Sequence, residues 1–473
     1  MGLALAPEIA VLAAAVAAIF VHLFGKERGG RAAGAVALAG ISAALPALIL
    51  AGRSGGQFFA GSFTLDGFAV FFKAVVLSGG LLAIAFSFRY FRHEGTEPGE
   101  AYDLILLAIV GMMFAVSATD LVAAYVAFET FAIPSYILTG FCRRDKRSPE
   151  AAVKYFFLGT LSSGIMLLGM ALVFGLTGET NFAAIGRILN GAGEPLALTG
   201  MILFFAGLFF KAALVPFHMW APDVYEGAPV PIAVFLSTAP KAAVFALLIR
   251  VAAGLFGRFE AQWTGLFQVL ALATMFWGNL AALLQRNIKR MMAYSSIAHA
   301  GYIAIGLAAW GGPGRTAVMF YLFVYVFMNA AAFGLVLLWT KGSGFGEEVS
   351  DLRGLARMSP LAAASLVFVL LSLTGIPPTA GFMGKYLLFQ AAVGRKLYLL
   401  AAAGALNSAI SLFYYFRIGR AMFMEERPSD SAAARPSPSV VAVLALCALI
   451  LLILGVLPHL VSDWASAATF LNP

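Results

Sequence analysis

Long apolar runs recur from one end of this 473-residue chain to the other, and they constrain its fold more than any other feature. Runs of about 20 residues are long enough to cross the ~30 Å hydrocarbon core of a bilayer as helices. The strands of a membrane barrel would alternate apolar and polar residues, and these runs do not. Only 11% of the residues are charged and the mean hydropathy is +0.91. The sequence therefore predicts an all-α polytopic membrane protein without a soluble domain.

The apolar runs predict fourteen membrane spans. Their expected bounds are 6–24, 30–51, 66–88, 102–118, 120–141, 151–176, 197–219, 229–256, 262–284, 292–310, 315–340, 359–394, 397–421 and 438–460. No basic residue precedes the first span and no small-residue cleavage site follows it, so we expect a retained helix rather than a signal peptide.

Basic residues are distributed unevenly between the two sets of loops. The loops after odd-numbered spans, with the adjoining span ends, hold nineteen Lys and Arg, whereas those after even-numbered spans hold seven. Cytoplasmic loops carry the excess of basic residues, so both termini are expected on the opposite, periplasmic side. The net charge of +8 is explained by these topology determinants, and no nucleic-acid partner is expected.

The remaining five basic residues are all lysines inside predicted spans: Lys73, Lys154, Lys211, Lys241 and Lys385. Among the carboxylates, only Glu129, in YVAFETFAIPSYIL, lies near the middle of a span. A charge at the bilayer centre costs about 3 kcal/mol on insertion scales. Burial disfavours the charged form of an amine, and a nearby carboxylate favours it. A lysine and a carboxylate that move relative to each other can therefore switch a proton, and Lys211 is the expected partner of Glu129.

Structural explanations compete with functional ones at each position. Lys73 and Lys154 lie within about two turns of a span end, where a lysine can extend its ammonium to the membrane surface. Lys211, Lys241 and Lys385 lie deeper, and a neutral residue would be less costly there, so a purely structural role for all three is disfavoured. Glu129 could instead tie two helices together.

Two histidines and several hydroxyl groups extend the candidate set. Imidazole exchanges protons near pH 7, so His299, in AYSSIAHAGYIAIG, is a candidate relay as well as a packing residue. His218 follows a proline and is interpreted as structural. His218, Lys73 and Lys154 are accessory candidates. Four further residues could hold water: Tyr294, Ser295, Ser296 and Thr379.

Prolines predict that two spans are broken beside a lysine. One is FFKAALVPFHMW in the seventh span, and the other is LTGIPPTAGFMGKYLLF, residues 373 to 389, in the twelfth. Proline removes a backbone donor and kinks or unwinds a helix. Spans 4–8 and 9–13 then form two five-helix units with the broken span fourth in each, and an odd number of crossings inverts the second unit, as in many transporters. The predicted domains are 1–100, 101–257, 258–424 and 425–473.

Redox and metal motifs are missing from the sequence. Cys142 and Cys447 form no CxxC pair and no metal-ligand spacing, and neither a GxGxxG turn after a strand nor a P-loop is present. We therefore expect no flavin, nicotinamide, haem or iron–sulfur cluster in this chain. The segment APDVYEGAP, which holds Asp223 and Glu226, is interpreted as a tight connection too short for a substrate site.

Several segments resemble the antiporter-like membrane subunits of bacterial proton-translocating NADH:quinone oxidoreductase, respiratory complex I. They are SPEAAVKYFFLGTLSSGI (148–165), FFKAALVPFHMWAPDVYEGAPVPIAVFLSTAPKAA (209–243), RNIKRMMAYSSIAHAGYIAIG (286–306) and GIPPTAGFMGKYLLF (375–389). The loop FHMWAPDVYEGAP is most similar to subunit N and differs from subunits L and M and from Mrp-type cation/proton antiporters. Lys385 also stands where subunit M has a glutamate, and the chain lacks the long lateral helix of subunit L.

The resemblance implies a fold, a path and partners. It implies fourteen helices with two inverted repeats in a bacterial inner membrane, beside other complex I membrane subunits. It also implies that NADH, FMN, iron–sulfur clusters and quinone bind to partner subunits. Glu129 would pair with Lys211, Lys241 would join two half-channels, and His299 would relay protons to Lys385. The alternatives are a stand-alone Mrp-type antiporter and a scaffold whose lysines only pack.

Overall fold

The computed structural model describes residues 4–25, 29–94, 99–189, 194–338, 340–341, 344–426 and 437–470. Within these ranges the chain is almost entirely helical, with four short strands. The helices are α1 (Ala6–Phe24), α2 (Gly29–Gly52), α3 (Gly67–Glu94), α4 (Gly99–Ala115), α5 (Leu121–Thr139), α6 (Arg147–Thr177), α7 (Phe182–Leu189), α8 (Glu194–Ala212), α9 (Trp220–Gly227), α10 (Val230–Arg250), α11 (Glu260–Leu283), α12 (Ile288–Ala308), α13 (Gly312–Gly334), α14 (Leu355–Met358), α15 (Pro360–Thr374), α16 (Ala380–Gly394), α17 (Tyr398–Met424), α18 (Pro438–Val456) and α19 (His459–Ala467). The strands are β1 (Gly56–Phe58), β2 (Phe63–Leu65), β3 (Thr340–Lys341) and β4 (Gly344–Phe345).

Twelve helical stretches of the described chain are long and apolar enough to cross a membrane, which makes this a multi-pass membrane protein. Two of the fourteen predicted spans account for the difference. The fourth span corresponds to α4, which has only 17 residues. The twelfth span is divided between α15 and α16, which have 15 residues each. A 15-residue helix is about 22 Å long, so neither half crosses a hydrocarbon core alone.

A few central helices are enclosed by the others. Every residue of α10 is buried, and α12 and α13 are almost as fully covered. α10 packs against α3 and α13, whereas α12 packs against α11 and α13. In α1, α2 and α18 only about a third of the residues are buried, and these helices form the outer layer. Polar side chains on α10 and α12 therefore meet protein rather than lipid.

The seventh span is broken, as the sequence predicts, but its helix ends earlier than expected. α8 stops at Ala212, and Ala213 adopts a left-handed conformation with φ 59°. The Ala213 and Leu214 N–H groups donate to the carbonyls of Phe210 and Phe209, each at 3.0 Å. This bonding pattern closes a helix carboxyl end and leaves Pro216 outside the helix.

The predicted break in the twelfth span is also confirmed. α15 ends at Thr374, and Gly375 follows with φ 89°, a conformation that glycine adopts without strain. α16 begins after Thr379, whose hydroxyl accepts a hydrogen bond from the Phe382 N–H at 3.4 Å. The stretch 375–379 between the two helices is therefore closed at one end by a glycine cap and at the other by a threonine cap.

Two features of the described chain depart from the sequence prediction. Antiparallel hairpins, β1–β2 and β3–β4, interrupt the all-α pattern in two loops. α12 starts at Ile288 rather than at residue 292, and this places Lys289 inside a helix. The hairpins lie in connections between helices and the second departure lies at a helix boundary, and apolar patterning carries little information about either.

Candidate functional site

Lys241 lies near the middle of the fully buried helix α10 and is 1% exposed. Its ammonium donates to the Ser296 carbonyl at 2.8 Å and to the Ser296 hydroxyl at 2.6 Å. The Tyr325 hydroxyl donates to the same serine oxygen at 2.8 Å. Lys241 is therefore held by neutral groups on α12 and α13.

The proline before Lys241 explains a further contact. Pro240 has no N–H, so the carbonyl of Leu236, one turn earlier, lacks its helical donor. The Tyr225 hydroxyl donates to that carbonyl at 3.4 Å. Tyr225 lies on α9, directly after the break in the seventh span, so the break and the lysine helix are connected through this tyrosine.

His299 lies on α12 between two tyrosine hydroxyl groups. Its Nδ1 is 2.7 Å from the Tyr321 hydroxyl and its Nε2 is 3.3 Å from the Tyr415 hydroxyl. Tyr415 also forms a short hydrogen bond with Ser295. Both ring nitrogens therefore have partners that can donate or accept a proton.

Lys385 occupies the break in the twelfth span. Its ammonium donates to the carbonyls of Leu373 and Thr374 at 3.0 and 2.8 Å. These carbonyls end α15, where the helix dipole places partial negative charge. The ammonium also lies 4.3 Å from the centre of the Tyr302 ring.

One face of α12 connects these three groups. Ser296, His299 and Tyr302 are spaced three residues apart on this helix. Ser296 binds Lys241, and Tyr302 contacts Lys385. Residues at that spacing share one face of a helix. The whole stripe rises only about 9 Å along the helix axis. The structure thus brings Lys241, His299 and Lys385 to one short, buried stripe.

Lys211 is held differently. It is 3% exposed, and its nitrogen has no hydrogen-bond partner among the described residues. Four aromatic rings surround the nitrogen, at 4.5 Å for Tyr155, 4.6 Å for Tyr136, 5.6 Å for Phe131 and 5.9 Å for Phe128. A cation over a ring face gains about 0.5–1 kcal/mol at exposed sites and about 2 kcal/mol when desolvated.

Glu129 lies on α5, half-buried, and its Oε1 has no hydrogen-bond partner in the described part of the chain. The ion pairs found among the described residues do not include one between Glu129 and Lys211. Glu129 is nevertheless near enough for its charge to act on Lys211, and direct pairing of the two residues stays a prediction.

The accessory candidates lie in three different environments. Lys73 does not reach the membrane surface: it is buried and forms an ion pair with the equally buried Glu8 on α1, 2.6 Å apart. The surface explanation was wrong here because the chain supplies an acid nearby. Lys154 is exposed and pairs with Glu150 and Asp223 at 2.8 and 2.9 Å. His218 is buried, and its ring packs edge-on against Trp277 with centroids 5.7 Å apart.

The four residues proposed to hold water also lie in different environments. Ser296 contacts Lys241, and Ser295 contacts Tyr415. Thr379 caps α16, and Tyr294 is half-buried on α12. Of the four, Ser296 belongs to the stripe on α12, and Ser295 reaches His299 only through Tyr415.

Sequence reasoning missed two buried ion pairs. Arg250, at the end of α10, binds Asp66 through two hydrogen bonds of 2.9 and 2.7 Å. Lys289 lies 3.3 Å from Glu347 and also donates to the Ala228 carbonyl at 2.8 Å. Both cations were counted as loop charges, because a basic residue at the end of an apolar run resembles a topology determinant.

The buried tyrosines were missed as well. Tyr302, Tyr321, Tyr325 and Tyr415 surround His299 or the lysines. A periodic signal was present for Tyr321 and Tyr325, since both fall on one face of a helix, four residues apart. Their contacts with α12 depended on how α13 packs.

The segment APDVYEGAP is more than a tight connection. Arg290 donates to Asp223 and Glu226 at 2.7 and 2.8 Å, and Lys154 also binds Asp223. Burial disfavours the charge of Asp223, but the hydrogen bonds from Lys154 and Arg290 outweigh it and hold the pKa of this carboxyl below its ordinary value. The cluster borders a cavity of about 180 Å³.

Comparisons with known proteins agree with this architecture. A family model described as NADH:quinone oxidoreductase/Mrp antiporter, TM matches residues 118–411. The protein named NADH-quinone oxidoreductase subunit N 1 of Solibacter usitatus (strain Ellin6076) is 41% identical over 444 residues, covering 93% of this chain and 91% of that protein.

Two solved structures share the fold. A chain of respiratory complex I from Thermus thermophilus with bound Aureothin is 34% identical with a TM-score of 0.83, covering 98% of this chain and 100% of that one. A chain of the Mrp complex from Dietzia sp. DQ12-45-1b has a TM-score of 0.88 but is only 23% identical, covering 99% and 97%. The second likeness concerns the fold alone. The match to the family model and the sequence relatives show that the chain belongs to the NADH:quinone oxidoreductase/Mrp antiporter family, and within it to the proteins named NADH-quinone oxidoreductase subunit N.

Proposed function

We propose that this chain is an antiporter-like, proton-translocating membrane subunit of NADH:quinone oxidoreductase, and that Glu129, Lys211, Lys241, His299 and Lys385 carry its protons. One observation carries the assignment of Lys241, His299 and Lys385: Ser296, His299 and Tyr302 follow one face of α12, and this face contacts Lys241 at one end and Lys385 at the other. A proton donor, a relay and an acceptor thus lie along one buried stripe.

The partners of the deep lysines favour proton exchange. Lys241 and Lys385 bind carbonyl and hydroxyl oxygens rather than carboxylates, so no fixed negative charge holds either amine in its charged form. A tenfold change in proton affinity corresponds to about 1.4 kcal/mol. One hydrogen bond to a charged group contributes about 1.5–3 kcal/mol. Making or breaking a single contact can therefore change the proton affinity of the amine by about tenfold or more.

The energy comes from outside the chain. We assign NADH, FMN, iron–sulfur clusters and quinone to partner subunits, and none of them to this one. Other membrane subunits of complex I transmit the energy through contact, with neighbouring antiporter-like subunits as the foremost partners. A movement of Glu129 relative to Lys211 starts the transfer, and the proton then passes to Lys241, His299 and Lys385.

The transmembrane arrangement has fourteen crossings, with both termini on the periplasmic side of a bacterial inner membrane. Contacts between loops support it. Charged groups from the loops after the fifth, seventh, ninth and eleventh predicted spans join in one cluster through Arg147, Asp223, Arg290 and Glu347. Loops after the second and fourth spans meet through Phe63 and Ala118, and those after the fourth and sixth through Asp120 and Asn181. Each set lies together, as an alternating topology requires.

We divide the chain at 1–100, 101–257, 258–424 and 425–473, with inverted repeats in the two middle segments. Equivalent packing supports the repeats. α4 packs on α5 and α10 in the first unit, and α11 packs on α12 and α17 in the second. The third helix contacts a half of the broken one in both units, α6 on α8 and α13 on α16.

Substitution of Lys211 tests the function. Intact complex I containing Lys211→Ala is reconstituted in vesicles, and the protons moved for each NADH oxidised are measured. We expect pumping through this subunit to be lost while assembly is retained. Lys146→Ala, an exposed lysine before α6, is the control. An unchanged proton gradient in the Lys211→Ala vesicles contradicts the assignment and favours the scaffold.

The stand-alone antiporter predicts a different result. The purified chain in liposomes would exchange sodium or potassium for protons without any partner. The likeness to the Mrp chain, at 23% identity, supports the shared fold and not this exchange. We expect no cation flux from the chain alone.

A further inference from the structure

Lys211 differs from the other two deep lysines in what surrounds its ammonium. Lys241 and Lys385 each have two oxygen acceptors and one nearby ring. Lys211 has four rings and no oxygen partner among the described residues. We propose that Phe128, Phe131, Tyr136 and Tyr155 form an aromatic box that binds the Lys211 ammonium, with Tyr136 and Tyr155 as its main positioning residues. This proposal rests on the proposed function of Lys211.

The geometry of the two tyrosines suits a cation. Their ring centres lie 4.6 and 4.5 Å from the Lys211 nitrogen. The rings meet each other edge to face, with centroids 4.7 Å apart and planes at 88°. A ring face carries the negative part of the aromatic quadrupole and attracts an ammonium group. Two perpendicular rings therefore border the Lys211 nitrogen on different sides. At Lys241 and Lys385, oxygen acceptors take this place.

The box is anchored to the backbone that carries Lys211. Tyr155 stacks on Trp220 with centroids 4.4 Å apart and planes at 11°. The Trp220 indole N–H donates to the Phe210 carbonyl at 2.7 Å, and Phe210 directly precedes Lys211. The Tyr155 wall of the box is thus connected, through Trp220, to the backbone one residue before Lys211, beside the break in the seventh span.

The box also lies next to the charged cluster at the helix ends. Ala151 and Lys154, within one turn of Tyr155 on α6, line the 180 Å³ cavity together with Asp223 and Arg290. Tyr155 therefore lies between neighbours that line the cavity and the Lys211 nitrogen, 4.5 Å from its ring centre, and we take the cavity as the side from which protons enter. A neutral amine gains nothing from the ring faces, so the box retains the ammonium and releases the amine. This makes departure of Lys211 from the box coincide with loss of its proton.

Replacement of the rings in intact complex I tests the box. Tyr155→Phe keeps the ring, and Tyr155→Leu removes it; the same pair is made at Tyr136. The readout is protons moved for each NADH oxidised in vesicles, with the amount of subunit in the complex as a check on assembly. We expect the phenylalanine variants to pump nearly as the wild type and the leucine variants to lose about tenfold. Tyr398→Leu at the start of α17, an exposed tyrosine outside the box, is the control.

A second series separates charge binding from packing. Phenylalanines with one, two and three fluorine atoms are introduced at residue 155 by suppression of a stop codon. Fluorine withdraws charge from the ring face with little change in shape, so a cation site weakens stepwise. We expect pumping to fall with each fluorine. Equal pumping across the series, or wild-type pumping in both leucine variants, overturns the box.

The Lys211→Ala complex separates the proposed proton role of Lys211 from the proposed aromatic box. If it loses pumping while the fluorine series is flat, the proton role of Lys211 stands and the aromatic box fails. If it pumps normally, the proton role fails and the box fails with it.

Discussion

Six buried cations in the described chain fall into two groups with different surroundings. Three have a carboxylate partner within reach: Lys73 with Glu8, Arg250 with Asp66, and Lys289 with Glu347. The other three form no ion pair among the described residues: Lys211, which only feels the charge of Glu129 at a distance, Lys241 and Lys385. Among the paired cations, Arg250 and Lys289 lie at helix ends and Lys73 lies inside α3; among the others, Lys211 and Lys385 lie beside helix breaks and Lys241 lies in mid-helix.

The difference separates structure from chemistry. A buried cation beside a carboxylate keeps its charge, since loss of either partner leaves the other charge uncompensated in a low-dielectric interior. A buried amine held by carbonyls, hydroxyls or rings can be neutral at little cost. Burial alone therefore does not mark a proton carrier in this fold, and the nature of the partner does.

The largest expected effect comes from breaking a paired cation. Asp66→Asn removes the counter-charge of Arg250, whose guanidinium is 5% exposed. We expect the free energy of unfolding to fall by about 3–5 kcal/mol, because the charge stays buried without compensation. Thermal unfolding in detergent and the amount of subunit assembled in the complex measure it. Asp463→Asn, an exposed carboxylate on α19, is the control; equal stability of the two variants would contradict the structural role of the pair.

Removing an unpaired cation should abolish proton pumping and leave the stability of the protein nearly unchanged. Lys241→Met keeps most of the side-chain volume and deletes an amine that no carboxylate needs. We expect proton pumping through this subunit to be lost while the unfolding temperature stays within a few degrees of the wild type. Reconstituted vesicles and thermal unfolding give the two readouts. A large loss of stability with normal pumping would place Lys241 in the structural group.

A smaller effect is expected from the oxygen that holds Lys241. Ser296→Ala removes one acceptor of the ammonium and the acceptor of Tyr325, but keeps the Ser296 carbonyl. The lost contact is worth about 1.5–3 kcal/mol, so the pumping rate should fall by about tenfold or more without disappearing. Ser78→Ala, whose hydroxyl donates to the Ala74 carbonyl of its own helix, is the control. Equal rates for the two variants would remove Ser296 from the path.

The smallest effect concerns the exposed part of the charged cluster. The folded-state pKa of Asp223 is held below its ordinary value, so its stabilisation is present above the unfolded pKa and is lost as pH falls through the folded one. Asp223 is partly exposed, so we expect less than about 1 kcal/mol. Unfolding of the wild type and of Asp223→Asn, compared from pH 7 down to acid, should converge at low pH. A constant difference would show that the charge of Asp223 does not contribute.

Much of this arrangement could be predicted from the sequence. Apolar runs of spanning length require helices in a bilayer, because lipid cannot satisfy backbone groups. Pro216 and Pro377 predicted the two helix breaks for the same local reason, a missing donor. Lys211, Lys241 and Lys385 could be singled out because charge in an apolar run is costly wherever the run packs.

The partners of those charges were decided only by tertiary structure. Lys73 and Glu8 are 65 positions apart in the chain, and Arg250 and Asp66 are 184 apart, so no local pattern connects them. The aromatic box of Lys211 combines rings from α5 and α6 with an amine on α8. An ionisable side chain reveals by its own identity that it can carry charge. Which groups compensate that charge depends on helix packing, and in this protein that packing separates structural cations from the proposed proton carriers.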